Sequence, residues 1–91
     1  MEKFRLILGE QTPYLPGSNW TQYEVEFLED KMLCTLKKDP SQVYPILYTA
    51  FKGAEFGIGN GNLWLQCDME QGSFVFCSDR KCWKSEAGSA V

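Results

Sequence analysis

Two turn signals in the second half of the chain constrain its fold more than any other feature. Asn60-Gly61 separates the apolar-alternating runs 54–58 and 63–67. Asn-Gly is the strongest short hairpin signal, because both residues tolerate positive φ. It pairs Ile58 with Leu63, Phe56 with Leu65 and Ala54 with Cys67. Glu70-Gln71-Gly72 fits a three-residue hairpin loop with Gly72 in the left-handed position. That loop pairs Cys67 with Val75 and Leu65 with Cys77. Both turns then place Ala54, Phe56, Ile58, Leu63, Leu65, Cys67, Val75 and Cys77 on one face. A three-stranded antiparallel meander follows. Its other face holds Glu55, Gly57, Trp64, Gln66, Asp68, Phe74, Phe76 and Ser78, with Trp64 across from Gly57.

The first half reads in the same way. Phe4, Leu6 and Leu8 alternate with Arg5 and Ile7. Tyr23, Val25 and Phe27 alternate with Glu24 and Glu26, and Met32, Cys34 and Leu36 with Leu33, Thr35 and Lys37. A hairpin about Glu29-Asp30 pairs Phe27 with Met32, Val25 with Cys34 and Tyr23 with Leu36. A slip by one residue would set Glu24 and Glu26 against that apolar row, so the register is well determined. The stretch 10–19, with Pro13, Pro16 and Gly17, is a loop. After Asp39-Pro40, the apolar positions Val43, Ile46, Leu47, Ala50 and Phe51 stand at helical spacing. Pro45 suits a first helical turn and Gly53 a stop, which predicts a short helix over 45–52.

The expected fold is therefore α+β in the order βββαβββ: an antiparallel hairpin with strand one, one short helix, and the meander. The sheets form one curved sheet or a half-barrel around the helix. Residues 1–84 make a single domain, and the small, polar 85–91 make a frayed tail. At 91 residues and 44% hydrophobic content the chain supports one modest core.

Composition removes chemistries. The chain has no histidine, hence neither the commonest general base nor the commonest metal ligand. Cys34, Cys67 and Cys77 fall on predicted inner faces, where cysteine acts as a small hydrophobe. Only Cys77 and Cys82 have a ligand-like spacing, so no metal and no disulfide is expected. Cys82, between Lys81 and Trp83, is the expected exposed thiol. Gly57-Ile58-Gly59-Asn60-Gly61 lacks the Lys-Ser/Thr and the helix of a phosphate loop. Glu24 and Glu26 share a face, but an open face does not raise a carboxyl pKa as acid–base catalysis needs. No catalytic residue and no cofactor is expected, and the chain reads as a non-enzyme.

Charge points the same way. Nine basic and twelve acidic residues give net −3. Residues 1–30 hold six acids and two bases, net −4. Nucleic-acid binding needs the reverse, a basic stripe. With neither a leader-like nor a membrane-spanning apolar run, the chain reads as cytoplasmic, with no membrane partner. What remains is contact. The aromatic row Trp64, Phe74 and Phe76, and the acids Glu24, Glu26, Glu29 and Asp30, are the candidate partner-binding residues. The expected function is that of a small acidic protein that occupies a partner's basic surface. A phage-type inhibitor of a nucleic-acid-handling defence enzyme and an immunity protein both act in this way. The alternatives are an accessory or homodimeric subunit, and a small-ligand binder with a pocket near Tyr44 and Tyr48.

Overall fold

The computed structural model describes residues 3–59 and 62–78. They form one seven-stranded antiparallel sheet. The strands are β1 (Lys3–Leu8), β2 (Gln22–Phe27), β3 (Lys31–Leu36), β4 (Val43–Leu47), β5 (Phe51–Gly59), β6 (Asn62–Met69) and β7 (Gly72–Cys77). Their spatial order is β4-β3-β2-β1-β7-β6-β5, so the first and last of these strands meet at the centre. One core cluster runs from Ile46 on β4 through Leu6, Val25 and Cys34 to Cys67 and Met69 on β6. With no helix longer than one 3-10 turn among the described residues to cover that face, one sheet buries it only by rolling up, and Phe27 and Met32 line a recess together with Phe51 and Leu65 of the far strands. The chain is thus a partly closed barrel, with β4 and β5 as its two edges.

The predicted helix is absent, which corrects the α+β expectation. Residues 43–47 are strand β4, Tyr48–Ala50 make a single 3-10 turn, and β5 begins at Phe51. The helical spacing of Val43, Ile46, Leu47 and Ala50 masked a second pattern of period two. Tyr44 and Ile46 point inward, while Val43, Pro45 and Leu47 point outward. The segment is also rich in β-branched and aromatic residues, which pack well on a pleated surface. Pro45 pairs with Leu33 on an edge strand, where proline is tolerated because only one side must donate to the ladder.

The predicted β2–β3 pairing is found residue for residue, Phe27 with Met32, Val25 with Cys34 and Tyr23 with Leu36. So is β5–β6, with Ile58 opposite Leu63, Phe56 opposite Leu65 and Ala54 opposite Cys67. The β6–β7 pairing is not. Met69 lies opposite Gly72, so the loop is the two residues Glu70-Gln71, and Leu65 faces Phe76 while Cys67 faces Phe74. Gly72 does take the left-handed side, at φ 109°. The loop is one residue shorter than expected, and one residue of register swaps every β7 side chain to the other face. The gain is clear. Two phenylalanines enter the core in place of Val75 and Cys77, and aromatic side chains bury the most apolar area.

The segment between β1 and β2 closes one end of the barrel. Leu15 is buried, the Tyr14 ring stacks on Phe74 at 6.2 Å, and the Gln71 N–H donates to the Tyr14 hydroxyl at 3.0 Å. The Tyr23 hydroxyl donates to the Pro16 carbonyl. Trp20 holds φ 71°, rare for a bulky residue. Its N–H donates to the Leu8 carbonyl at 2.8 Å, and the Leu8 N–H to the Thr21 carbonyl at 2.8 Å. No helix among the described residues is long and apolar enough to cross a membrane. The predicted tail 85–91, Cys82 and the Asn60-Gly61 turn itself lie outside the described residues.

Candidate functional site

The aromatic row does not form a surface. Phe74 and Phe76 are fully buried, their rings edge-on at 5.7 Å, and Tyr23 meets Phe76 edge-on at 5.9 Å. With Tyr14 they make a continuous aromatic chain through the closed end of the core. Trp64 stays on the opposite face, as expected, where it packs with Val75 and Cys77. It also covers Gly57 opposite it. A Cβ on Gly57 would come within 2.6 Å of the Trp64 ring, so glycine is needed there for close approach. The placement of Phe74 and Phe76 as partner-facing side chains is therefore corrected: they hold the barrel together.

The acidic face is real but not purely acidic. Glu24 is exposed on the outer side of β2, and Arg5 stands opposite it on β1. Glu26 faces Lys3 in the same ladder. Each of these acids therefore stands opposite a base in the β1–β2 ladder. Glu29 and Asp30 sit exposed in the β2–β3 turn, where Lys31 Nζ lies 3.3 Å from Asp30 Oδ1. No helix covers Tyr44 and Tyr48, and of the two only Tyr48 lines a recess, at the β5 edge. The Tyr44 hydroxyl donates to Gln42 Oε1 at 2.6 Å and the Tyr48 hydroxyl to the Leu28 carbonyl at 2.7 Å.

The feature that sequence reasoning missed is the other end of the barrel. Phe56, Ile58 and Leu63 lie on the inner face of β5 and β6, the face a helix was expected to cover. Without the helix Phe56 is 76% exposed and Ile58 74%. Strand length accounts for the exposure. The β5–β6 hairpin has strands of nine and eight residues against six in β1 and β7, so its inner face runs past the strands opposite it. Across the opening stand Phe4 and Phe27, ring centroids 5.9 Å apart and each about two-fifths exposed.

Together Phe4, Leu6, Phe27, Phe56, Leu63 and Leu65 line a recess of about 260 Å³. A second recess of about 300 Å³ adjoins it through Phe27 and Leu65, and runs along the β5 edge past Met32, Tyr48, Phe51, Lys52, Gly53 and Ala54. The first has no polar side chain in its lining, and Lys52 brings the only charge to the second. The first recess offers no nucleophile, acid or base, and the second only Lys52 and Tyr48. Such a site takes apolar side chains, and the free side of β5 beside it offers backbone hydrogen bonds.

Three titratable groups with altered acidity lie in the core. Burial, helped by each thiol's neighbours Cys67 and Asp68 respectively, pushes Cys34 and Cys67 up to about 12. Burial also lifts Tyr23 to about 12, with Cys34 and Tyr44 adding to the effect. Protonated thiols of this kind are inert. Among the described residues no cluster of cysteine and carboxylate side chains is arranged to hold a metal. No family model, no curated protein and no solved structure matches the chain.

Proposed function

We propose that this chain is a protein-binding protein. It works by taking an extended segment of another polypeptide along the β5 edge, with that segment's apolar side chains seated in the Phe4–Phe27–Phe56–Leu63 recess. The exposure of Phe56 and Ile58 carries the reading. Large apolar side chains left open beside an unpaired strand mark a surface built to be covered. Strand addition uses this pairing of parts, the edge for affinity and alternate side-chain pockets for specificity.

The recess lies at the same end of the barrel as Glu29 and Asp30, which follow Phe27 in the β2–β3 turn. A partner segment with basic residues flanking its apolar ones fits both. Occupying a partner's basic surface, as an inhibitor or an immunity protein does, is the narrower form of the proposal. The net charge of −3 supports it. Affinity capture followed by reconstitution with the purified partner is the test. The double variant Phe56→Lys/Ile58→Lys should lose the reconstituted complex, and Glu29→Lys/Asp30→Lys should weaken it in a salt-dependent way. A complex that survives the first pair unchanged rejects the recess as the contact surface.

A further inference from the structure

Resting on strand acceptance at that edge, and replacing its basic-partner form, we infer that the strand which covers the recess is β5 of a second copy, paired antiparallel with β5 about a twofold axis at Phe56. β5 is the longest strand of the sheet, ends it, and contains no proline. Its inner-face residues Phe56 and Ile58 are the most exposed large hydrophobics among the described residues.

The sequence of β5 is complementary to itself in one register. With Phe56 opposite Phe56 of the second copy, Ala54 meets Ile58 and the outer residue Glu55 meets Gly57. Small side chains then lie against large ones, and no like charges face each other. A shift of two residues one way sets Glu55 against Glu55, which is repulsive. A shift of two the other way carries Ala54 past Gly59, the end of the strand. A one-residue slip puts inner side chains against outer ones.

The area is sufficient. A three-quarters exposed phenylalanine or isoleucine leaves on the order of 150 Å² uncovered, and the partly exposed Phe4, Phe27 and Leu63 bring the patch to roughly 500 Å² per copy. Two such patches reach the roughly 1,000 Å² that a specific interface needs. Isologous pairing also removes the open edge of both copies, which an isolated β5 would otherwise present to any chain. The outer faces of β1 and β2, with Arg5 and Glu24, stay clear of the contact.

Light scattering on the purified protein tests this. The expected result is twice the 10.4 kDa chain mass. Phe56→Lys should give the single-chain mass and, at a concentration low enough for the wild type to be single-chain too, an unchanged urea midpoint, since Phe56 supports little of the fold. A second measurement fixes the register. In a Cys82→Ser background, Phe56→Cys should cross-link to itself on mild oxidation, and Glu55→Cys should not. A single-chain mass up to about 1 mM overturns the inference. So does a dimer indifferent to Phe56→Lys, or equal cross-linking at 55 and 56. A monomer that still loses its reconstituted partner on Phe56→Lys/Ile58→Lys overturns the second copy and leaves strand acceptance standing. A monomer whose complex ignores that substitution removes both.

Discussion

At the residue scale, two phenylalanines that look alike in the sequence do opposite work. Phe76 is fully buried against Phe74 and Tyr23, and Phe56 is three-quarters exposed. Phe76→Ala should destabilise the fold by about 3–5 kcal/mol, the usual cost of an emptied aromatic site. Phe56→Ala should shift the urea midpoint of the monomer by little and reduce binding instead. Equal stability losses would refute the assignment of the two faces. The buried thiols make a second residue-level prediction. Cys34 and Cys67 hold their protons to about pH 12 when folded, against an ordinary value near 9.0, and Tyr23 to about 12 against 10.0. Between those limits the unfolded chain has released protons that the folded chain retains. Stability is therefore full below pH 9 and falls as pH rises toward 12. Urea melts from pH 7 to 11 should show this decline, and Cys34→Ala/Cys67→Ala should make it shallower. A flat profile contradicts the burial of these groups.

At the scale of elements, the hairpins show what was legible in the sequence and what was not. The β2–β3 and β5–β6 registers followed from alternation and a turn, because in each a one-residue slip would set polar or charged side chains against an apolar row. Around β7 the alternation was no guide. Phe74, Val75, Phe76 and Cys77 are all apolar, so either face satisfies the pattern, and loop length alone decides. The core chose the larger side chains, and that choice depends on the space left by Tyr14, Tyr23 and Leu8, which no local reading contains. β4 failed for a related reason, since Val43, Ile46, Leu47 and Ala50 fit a period of 3.6, while the strand's period of two is carried by a different set, Tyr44 and Ile46 inward. Gly72 marks the constraint in the short loop. It has φ 109° and no atom within 4 Å of where a Cβ would stand, so the cost of a side chain there is conformational alone. Gly72→Ala should destabilise by about 1 kcal/mol, measured by urea unfolding, with no change in binding. A loss several times larger would mean the β6–β7 register had shifted. In the β3–β4 connection, hydrogen bonds from Ser41 and Gln42 hold the Asp39 carboxyl below its ordinary value. That contribution is present above the ordinary carboxyl range and is lost as pH falls through the lowered value.

At the scale of the whole molecule, the barrel is asymmetric. One end is filled by Leu15 and Tyr14 from the β1–β2 segment, and the other stays open between Phe4, Phe27, Phe56 and Leu63. This asymmetry was not legible in the sequence, which placed Phe56, Ile58 and Leu63 correctly on the inner face but suggested a helix over them. The missing helix converts core positions into surface and so creates the candidate site. The acidic turn at Glu29 and Asp30 was legible from composition, while the opposition of Glu24 by Arg5 and of Glu26 by Lys3 needed the β1–β2 register. The claim that the open end is where this protein meets its partner is tested most directly by a binding isotherm of the reconstituted complex, wild type against Phe56→Lys/Ile58→Lys. The expected result is a loss of about 30-fold or more, the scale of a central apolar anchor. Affinity within about twofold of wild type, with the fold intact, would contradict it.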